Sequence, residues 1–181
     1  RGWRSADQYE PYSSGPDLVP DFLPVGNPER QVRLNASTHN RQGIIQHLSP
    51  EVLENTSRLE RKIYANLNSY TRYQFDEEIG AETLIVAWGI TSLAAREAVG
   101  QLRDKGKRVS LLLSNTLLPV PPEYLTIVSR YPRVVVAEEN LSGHFRSILF
   151  GVKGQNGVVG VNALGRLVAP EEIVQKVLED G

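Results

Sequence analysis

From Glu82 to the C-terminus, short apolar runs alternate with helical stretches that carry their own start and stop signals. Few folds accept that pattern. Residues 83–87 are continuously apolar rather than alternating, as a strand covered on both faces must be. Ser92 is placed to cap a helix bearing Ala95, Ala98, Val99 and Leu102, with Gly106 just past its end. Residues 109–113 make a second buried strand. Pro121, Pro122 and Glu123 open a short helix with Tyr124, Leu125 and Val128, and residues 134–137 make a third strand. A helix over 142–150, a strand over 158–161 and a last helix opened by Pro170, Glu171 and Glu172 complete the set. Strand and helix joined by short connections predict an α/β fold, a doubly wound, mostly parallel sheet, over residues 81–181.

Upstream the pattern is different. Residues 1–48 read as a proline-rich extended arm and loop. Pro11, Pro16, Pro20, Pro24 and Pro28 leave no room for a helix, yet Trp3, Tyr9, Tyr12, Leu18, Val19, Phe22, Leu23 and Val25 are too many apolar residues for a disordered tail. Alternation of Val32, Leu34 and Ala36 with polar neighbours predicts one strand over 31–36. Ser49, Pro50 and Glu51 form a helix start. The connecting amphipathic segment spans 49–80, its helix running to about Tyr73 with Val52, Thr56, Leu59, Ile63, Leu67 and Tyr70 on one stripe.

Composition excludes several functions. The formal net charge of -1 gives no electrostatic footprint for nucleic acid. No apolar run approaches the length of a membrane helix. There is no cysteine, hence no disulfide, thiolate metal site, cysteine nucleophile or iron–sulfur ligand; a cytoplasmic location is expected. The start at Arg1 and the absence of methionine make a piece of a longer protein the expectation.

Ligands of doubly wound sheets sit beyond the carboxyl ends of the strands, so the loops there hold the candidates. The turn at Trp88, Gly89, Ile90 and Thr91 has one glycine where a dinucleotide fingerprint needs three. The apolar loop 114–121 suits packing against a neighbouring domain. Glu138, Glu139, Asn140, Ser142 and His144 form the most polar loop. Glu beside His could serve proton transfer or half a metal site; equally, Asn140 or Ser142 could cap the next helix while Glu139 complements its positive end. Thr38, His39 and Arg41, ahead of Gly43, could hold an anionic group or form a solvated turn.

Residues 137–146 resemble the "E-N-x-S-G-Q-F-R" segment of 2-oxoacid:ferredoxin oxidoreductase alpha subunits, with His144 where glutamine is commoner. Residues 162–173 resemble that family's closing segment, residues 116–121 its "L-W-P-x-P" turn, and Thr38-His39 with Gly43, followed by the basic helix reaching Lys62, its interdomain segment. The resemblance spans essentially the whole chain. It implies a transketolase C-terminal-domain-like region of an enzyme, of 2-oxoglutarate type, that decarboxylates a 2-oxoacid on thiamine diphosphate and Mg2+. Such an enzyme passes the acyl group to coenzyme A and reduces ferredoxin through iron–sulfur clusters. It also implies partners: upstream alpha-subunit domains holding the pyrimidine, and a beta subunit holding the diphosphate and magnesium. No thiamine-contacting motif is present, so no catalytic, cofactor or metal residue is assigned. Thr38, His39, Arg41, Glu138, Glu139, Asn140, Ser142, His144 and Arg146 are the candidates for an interface or substrate-proximal surface, and the isolated chain is expected to be inactive. The alternatives are the C-terminal domain of another thiamine enzyme, such as a 2-oxoacid dehydrogenase decarboxylase beta subunit, and a free-standing α/β nucleotide-binding module.

Overall fold

The computed structural model describes residues 8–179. Trp3, counted above among the apolar residues of the arm, lies outside them. The chain divides into two compact units, Arg1–Leu67 and Asn68–Gly181.

In the first unit, helix α1 covers Pro50–Ala65. The Ser49 hydroxyl accepts from the Val52 amide at 3.3 Å, and Pro50 and Glu51 occupy the first turn, where a missing N–H and a negative charge both fit. Asn66 ends the helix, seven residues short of Tyr73. The expected stripe is also not the buried one. Val52 is buried, but its buried neighbours on α1 are Asn55 and Arg58, while Leu59 and Ile63 remain 42% and 40% exposed.

Polarity explains the choice. Arg58 donates to the Leu18 carbonyl at 2.8 Å and to Asn55 Oδ1 at 3.0 Å, satisfying backbone that a proline-interrupted segment cannot pair with itself. Burial pushes the Arg58 pKa down. The strand expected over 31–36 does not form. The Tyr12 hydroxyl donates to the Asn35 carbonyl at 3.2 Å and accepts from the Asn35 amide at 2.9 Å. One side chain thus takes both backbone groups that a ladder would have used, and Leu34 is left exposed.

The second unit begins with a short helix, α2, over Leu67–Tyr70 that crosses the boundary, then strand β1, Tyr73–Asp76. Sequence periodicity did not announce β1. It is four residues long and mostly exposed, with no apolar run to read. It pairs antiparallel with β3, Val109–Ser114. The other strands are β2 (Thr83–Trp88), β4 (Arg133–Glu138) and β5 (Val158–Asn162). The sheet order is β1-β3-β2-β4-β5, and β3, β2, β4 and β5 are mutually parallel.

Helices cover both faces, which is why the central strands have no polar side. α3 (Thr91–Asp104) and α6 (Pro170–Leu178) pack on Ile85, Ala87, Leu111, Leu113, Val135 and Ala137. α4 (Pro122–Val128) and α5 (His144–Phe150) pack on Leu84, Val86, Leu112, Val134 and Val136. This is the doubly wound, mostly parallel architecture that the apolar runs predict. No helix among the described residues is long and apolar enough to cross a membrane.

Candidate functional site

Strand β2 sits between β3 on one side and β4 on the other, so the chain reverses direction across the sheet at β2. The loops leaving β2 and β4 therefore bound the crevice where such sheets place ligands. Gly89 turns the chain out of β2 with φ +60, in the left-handed region where a side chain is costly. The expected Ser92 cap is absent: α3 already begins at Thr91, and no side chain caps it. The Trp88 indole Nε1 is buried with no hydrogen-bond partner among the described residues.

The β4–α5 loop is built on Glu138, which is fully buried. Its Oε2 accepts from the Phe145 amide at 2.8 Å and from Asn140 Nδ2 at 2.7 Å, and its Oε1 accepts from the Arg146 amide at 3.0 Å. Asn140 Oδ1 accepts from the Gly143 and His144 amides at 2.8 and 3.0 Å. Gly143 precedes α5 at φ +69. Two side chains thus absorb four amides at the start of one helix, where unpaired donors concentrate.

Several expectations are corrected here. Asn140 does cap, but exposed Ser142 does not, because α5 begins only at His144, with Gly143 at its N-cap position. Glu138, not Glu139, meets the positive end of α5. Glu139 instead accepts from the Val168 amide at 3.3 Å. His144 is exposed, with neither Glu as a side-chain hydrogen-bond partner. Among the described residues no group of three His, Cys, Asp or Glu could hold a metal ion. The carboxylate that might have served as a base is spent on backbone amides.

Arg146 lies on the first turn of α5, half-buried. Its guanidinium rests on Gly143 and Gly160, and a Cβ on either glycine would collide with it. Asn162, which donates to the Asn140 carbonyl at 3.0 Å, ties the end of β5 to the same loop. Gly160 and Asn162 were not legible as site residues. Only their position at the end of a strand could have flagged them.

The β3–α4 loop is fastened within the same unit. The Asn115 and Thr116 amides donate to the Arg72 carbonyl at 3.1 and 3.0 Å, and Thr116 Oγ1 accepts from the Arg72 amide at 3.0 Å. The Tyr124 hydroxyl donates to that carbonyl too, at 3.1 Å, and burial pushes its pKa up.

Thr38, His39 and Arg41 belong to the first unit. His39 is buried and stacked on Tyr12, ring centroids 3.6 Å apart, with Nδ1 within reach of the Asn40 carbonyl and Asn55 Nδ2. Thr38 Oγ1 lies 2.9 Å from His47 Nδ1. Arg41 is exposed, and its amide donates to Glu51 Oε1 at 2.9 Å. His39 is packed against Tyr12, and the exposed Arg41 side chain stands beside Glu51.

Residues 81–172 match the family model described as pyruvate:ferredoxin oxidoreductase core domain II. The chain is 29% identical, over 89% of its length, to the 2-oxoglutarate synthase subunit KorA of Methanocaldococcus jannaschii, of which it covers 43%. It is 31% identical, over 67% of its length, to the ketoisovalerate oxidoreductase subunit VorB of Methanothermobacter marburgensis, of which it covers 35%. The chain thus spans less than half of these curated relatives. Among solved structures, a 2-oxoglutarate:ferredoxin oxidoreductase from Magnetococcus marinus with 2-oxoglutarate, coenzyme A and succinyl-CoA bound matches with a TM-score of 0.79. The identity is 24%, over 99% of this chain and 32% of that one, a likeness of fold. With its four parallel strands inside the matched segment, the chain belongs to the pyruvate:ferredoxin oxidoreductase core domain II family.

Proposed function

We propose that the chain works as the C-terminal region of the alpha subunit of a thiamine-diphosphate-dependent 2-oxoacid:ferredoxin oxidoreductase, with 2-oxoglutarate as the first substrate to test. Its role there is to support and join, not to react. One observation carries that division: Glu138 and Asn140, the best-placed acid and amide at the sheet's functional edge, spend their polar atoms on the amides of α5. A general base needs a free lone pair within reach of the substrate proton, and Glu138 offers no exposed atom.

The family implies thiamine diphosphate, magnesium and iron–sulfur clusters. The residues here do not fit them: no cysteine is available to ligate iron, and no metal-competent cluster of acids or histidines forms among the described residues. The holoenzyme's thiamine diphosphate, magnesium and iron–sulfur clusters then belong to the upstream alpha-subunit domains and the beta subunit.

The test has two parts. The isolated chain should give no 2-oxoacid-dependent viologen reduction and no calorimetric signal with thiamine diphosphate and magnesium. A dissociation constant below ~100 micromolar, about -5.5 kcal/mol, would overturn that. The chain joined to its upstream domains and co-expressed with a beta subunit should reduce viologen with 2-oxoglutarate. Activity confined to pyruvate or 2-ketoisovalerate would reassign the substrate, and none with any 2-oxoacid would contradict the proposal.

A further inference from the structure

The two edges of the sheet in the second unit differ in kind. Where the parallel strands begin, the surface is charged: Glu82, Lys107, Arg108 and Lys153 are exposed, with Ile79 and Val152 the large apolar side chains among them. Where the strands end, the loops carry six large apolar side chains, each more than half exposed. Ile90 and Leu93 follow β2, Leu118 follows β3, Leu141 follows β4, and Leu164 and Leu167 follow β5. Every parallel strand contributes at least one. Scattered exposed leucines need no explanation, but a concentration along one edge marks an interaction surface.

A cation stands at the same edge. Arg61, Arg103, Arg130 and Arg166 each have a carboxylate partner. Among the described residues the Arg146 guanidinium takes part in no ion pair and no hydrogen bond. The acid nearest in sequence, Glu138, is consumed by the Phe145 and Arg146 amides and by Asn140. The guanidinium lies against Gly143 and Gly160, where the absence of a Cβ leaves room for it. A planar fork left unpaired is matched by a carboxylate. Apolar side chains with a placed arginine among them are the composition of a protein–protein interface core.

We propose that the edge formed by Ile90, Leu93, Leu118, Leu141, Leu164 and Leu167 is a docking face for another protein surface, one that presents apolar side chains to these residues and an Asp or Glu carboxylate to Arg146. This rests on the reading of the chain as part of a larger enzyme and names the chemistry of what covers it.

The experiment is zero-length cross-linking in the assembled enzyme carrying Arg146→Lys. The substitution keeps the positive charge and supplies an amine. A carbodiimide joins that amine to a touching carboxylate as an amide, taking up the water that is lost. The result expected is a cross-linked peptide pairing position 146 with an Asp or Glu outside residues 1–181. Coupling only to Glu138 or Glu139, or no coupling at 146 while other lysines react, would overturn the carboxylate assignment.

Hydrogen exchange on the wild-type enzyme gives an independent readout. Amides of residues 89–93, 115–120, 139–146 and 163–168 should exchange at least about tenfold more slowly in the assembly than in the isolated chain, while residues 78–82 and 105–108 keep their rates. The reverse pattern would overturn the docking face and leave the enzyme reading intact. If no assembly forms when the longer chain and its beta subunit are co-expressed, the enzyme reading falls and the docking face falls with it.

Discussion

The two units hold themselves together by different means. In residues 68–181, helices on both faces bury continuous apolar strands, and the polar work is confined to loop ends. In residues 8–67, buried positions include His39, Asn40, Asn55 and Arg58, and the links are side chain to backbone: Tyr9 to Asp21, Tyr12 to Asn35, Arg58 to Leu18. The apolar unit gains from area removed from water, which grows with every packed residue. The polar unit gains about 1 kcal/mol per hydrogen bond, against the cost of ordering a chain with little regular structure. The first is expected to stand alone; the second depends on a few specific atoms.

The strongest way to break that contrast is a large cavity in the apolar unit. Leu112 is fully buried in the central layer against α4 and α5. Leu112→Ala should cost about 2–5 kcal/mol in chemical denaturation. A cost below about 1 kcal/mol would mean that the sheet is not the stabilising core. Next is the polar exception inside that unit. Glu138→Ala leaves the Phe145 and Arg146 amides and Asn140 Nδ2 without an acceptor, so about 1–3 kcal/mol should be lost. Exchange at the two amides should quicken by more than the global melt explains. Uniform quickening across the unit would count against a local capping role.

In the polar unit, Tyr12→Phe removes both bonds to Asn35 and keeps the ring stacked on His39. About 0.5–1.5 kcal/mol should go, seen as faster proteolysis around residues 31–36 with the melt of the α/β unit unchanged. The smallest effect is electrostatic. The Arg166 guanidinium contacts Glu172 twice at 2.7 Å and, with the Ala169 amide, holds its carboxyl at about 2 against an ordinary 4.5. A depressed folded pKa gives stabilisation that is full above the unfolded value and lost as pH falls from 4.5 toward 2. The pair lies at the surface, where water and salt screen it, so the effect is small. Glu172→Gln should slightly flatten the melting temperature against pH across that window. An unchanged slope would remove the pair from the account.

The same contrast explains what the sequence disclosed. All four parallel strands were legible, and for β2, β3 and β4 the reason is burial on both faces, which forces dense apolar runs such as 84–87 and 111–113. β1 was not, because an exposed edge strand of four residues owes its pairing to β3 and not to its own pattern. The strand expected over 31–36 failed because alternation of Val32, Leu34 and Ala36 carries no information without a neighbouring strand, and Tyr12 reached Asn35 first. At the candidate site the cap at Asn140 was readable from residue type. The roles of Glu138 and Gly160 were not, since they depend on which amides and which guanidinium the fold brings within reach.

The most direct test is a chain cut at the unit boundary. Starting at Asn68 retains β1, which a cut near Ile79 would remove. Residues 68–181 alone should give one cooperative thermal transition, with the melting temperature within about 5 °C of the α/β transition in the full chain. Aggregated material, or a broad transition without a baseline, would show that residues 1–67 supply part of the core and would contradict the account.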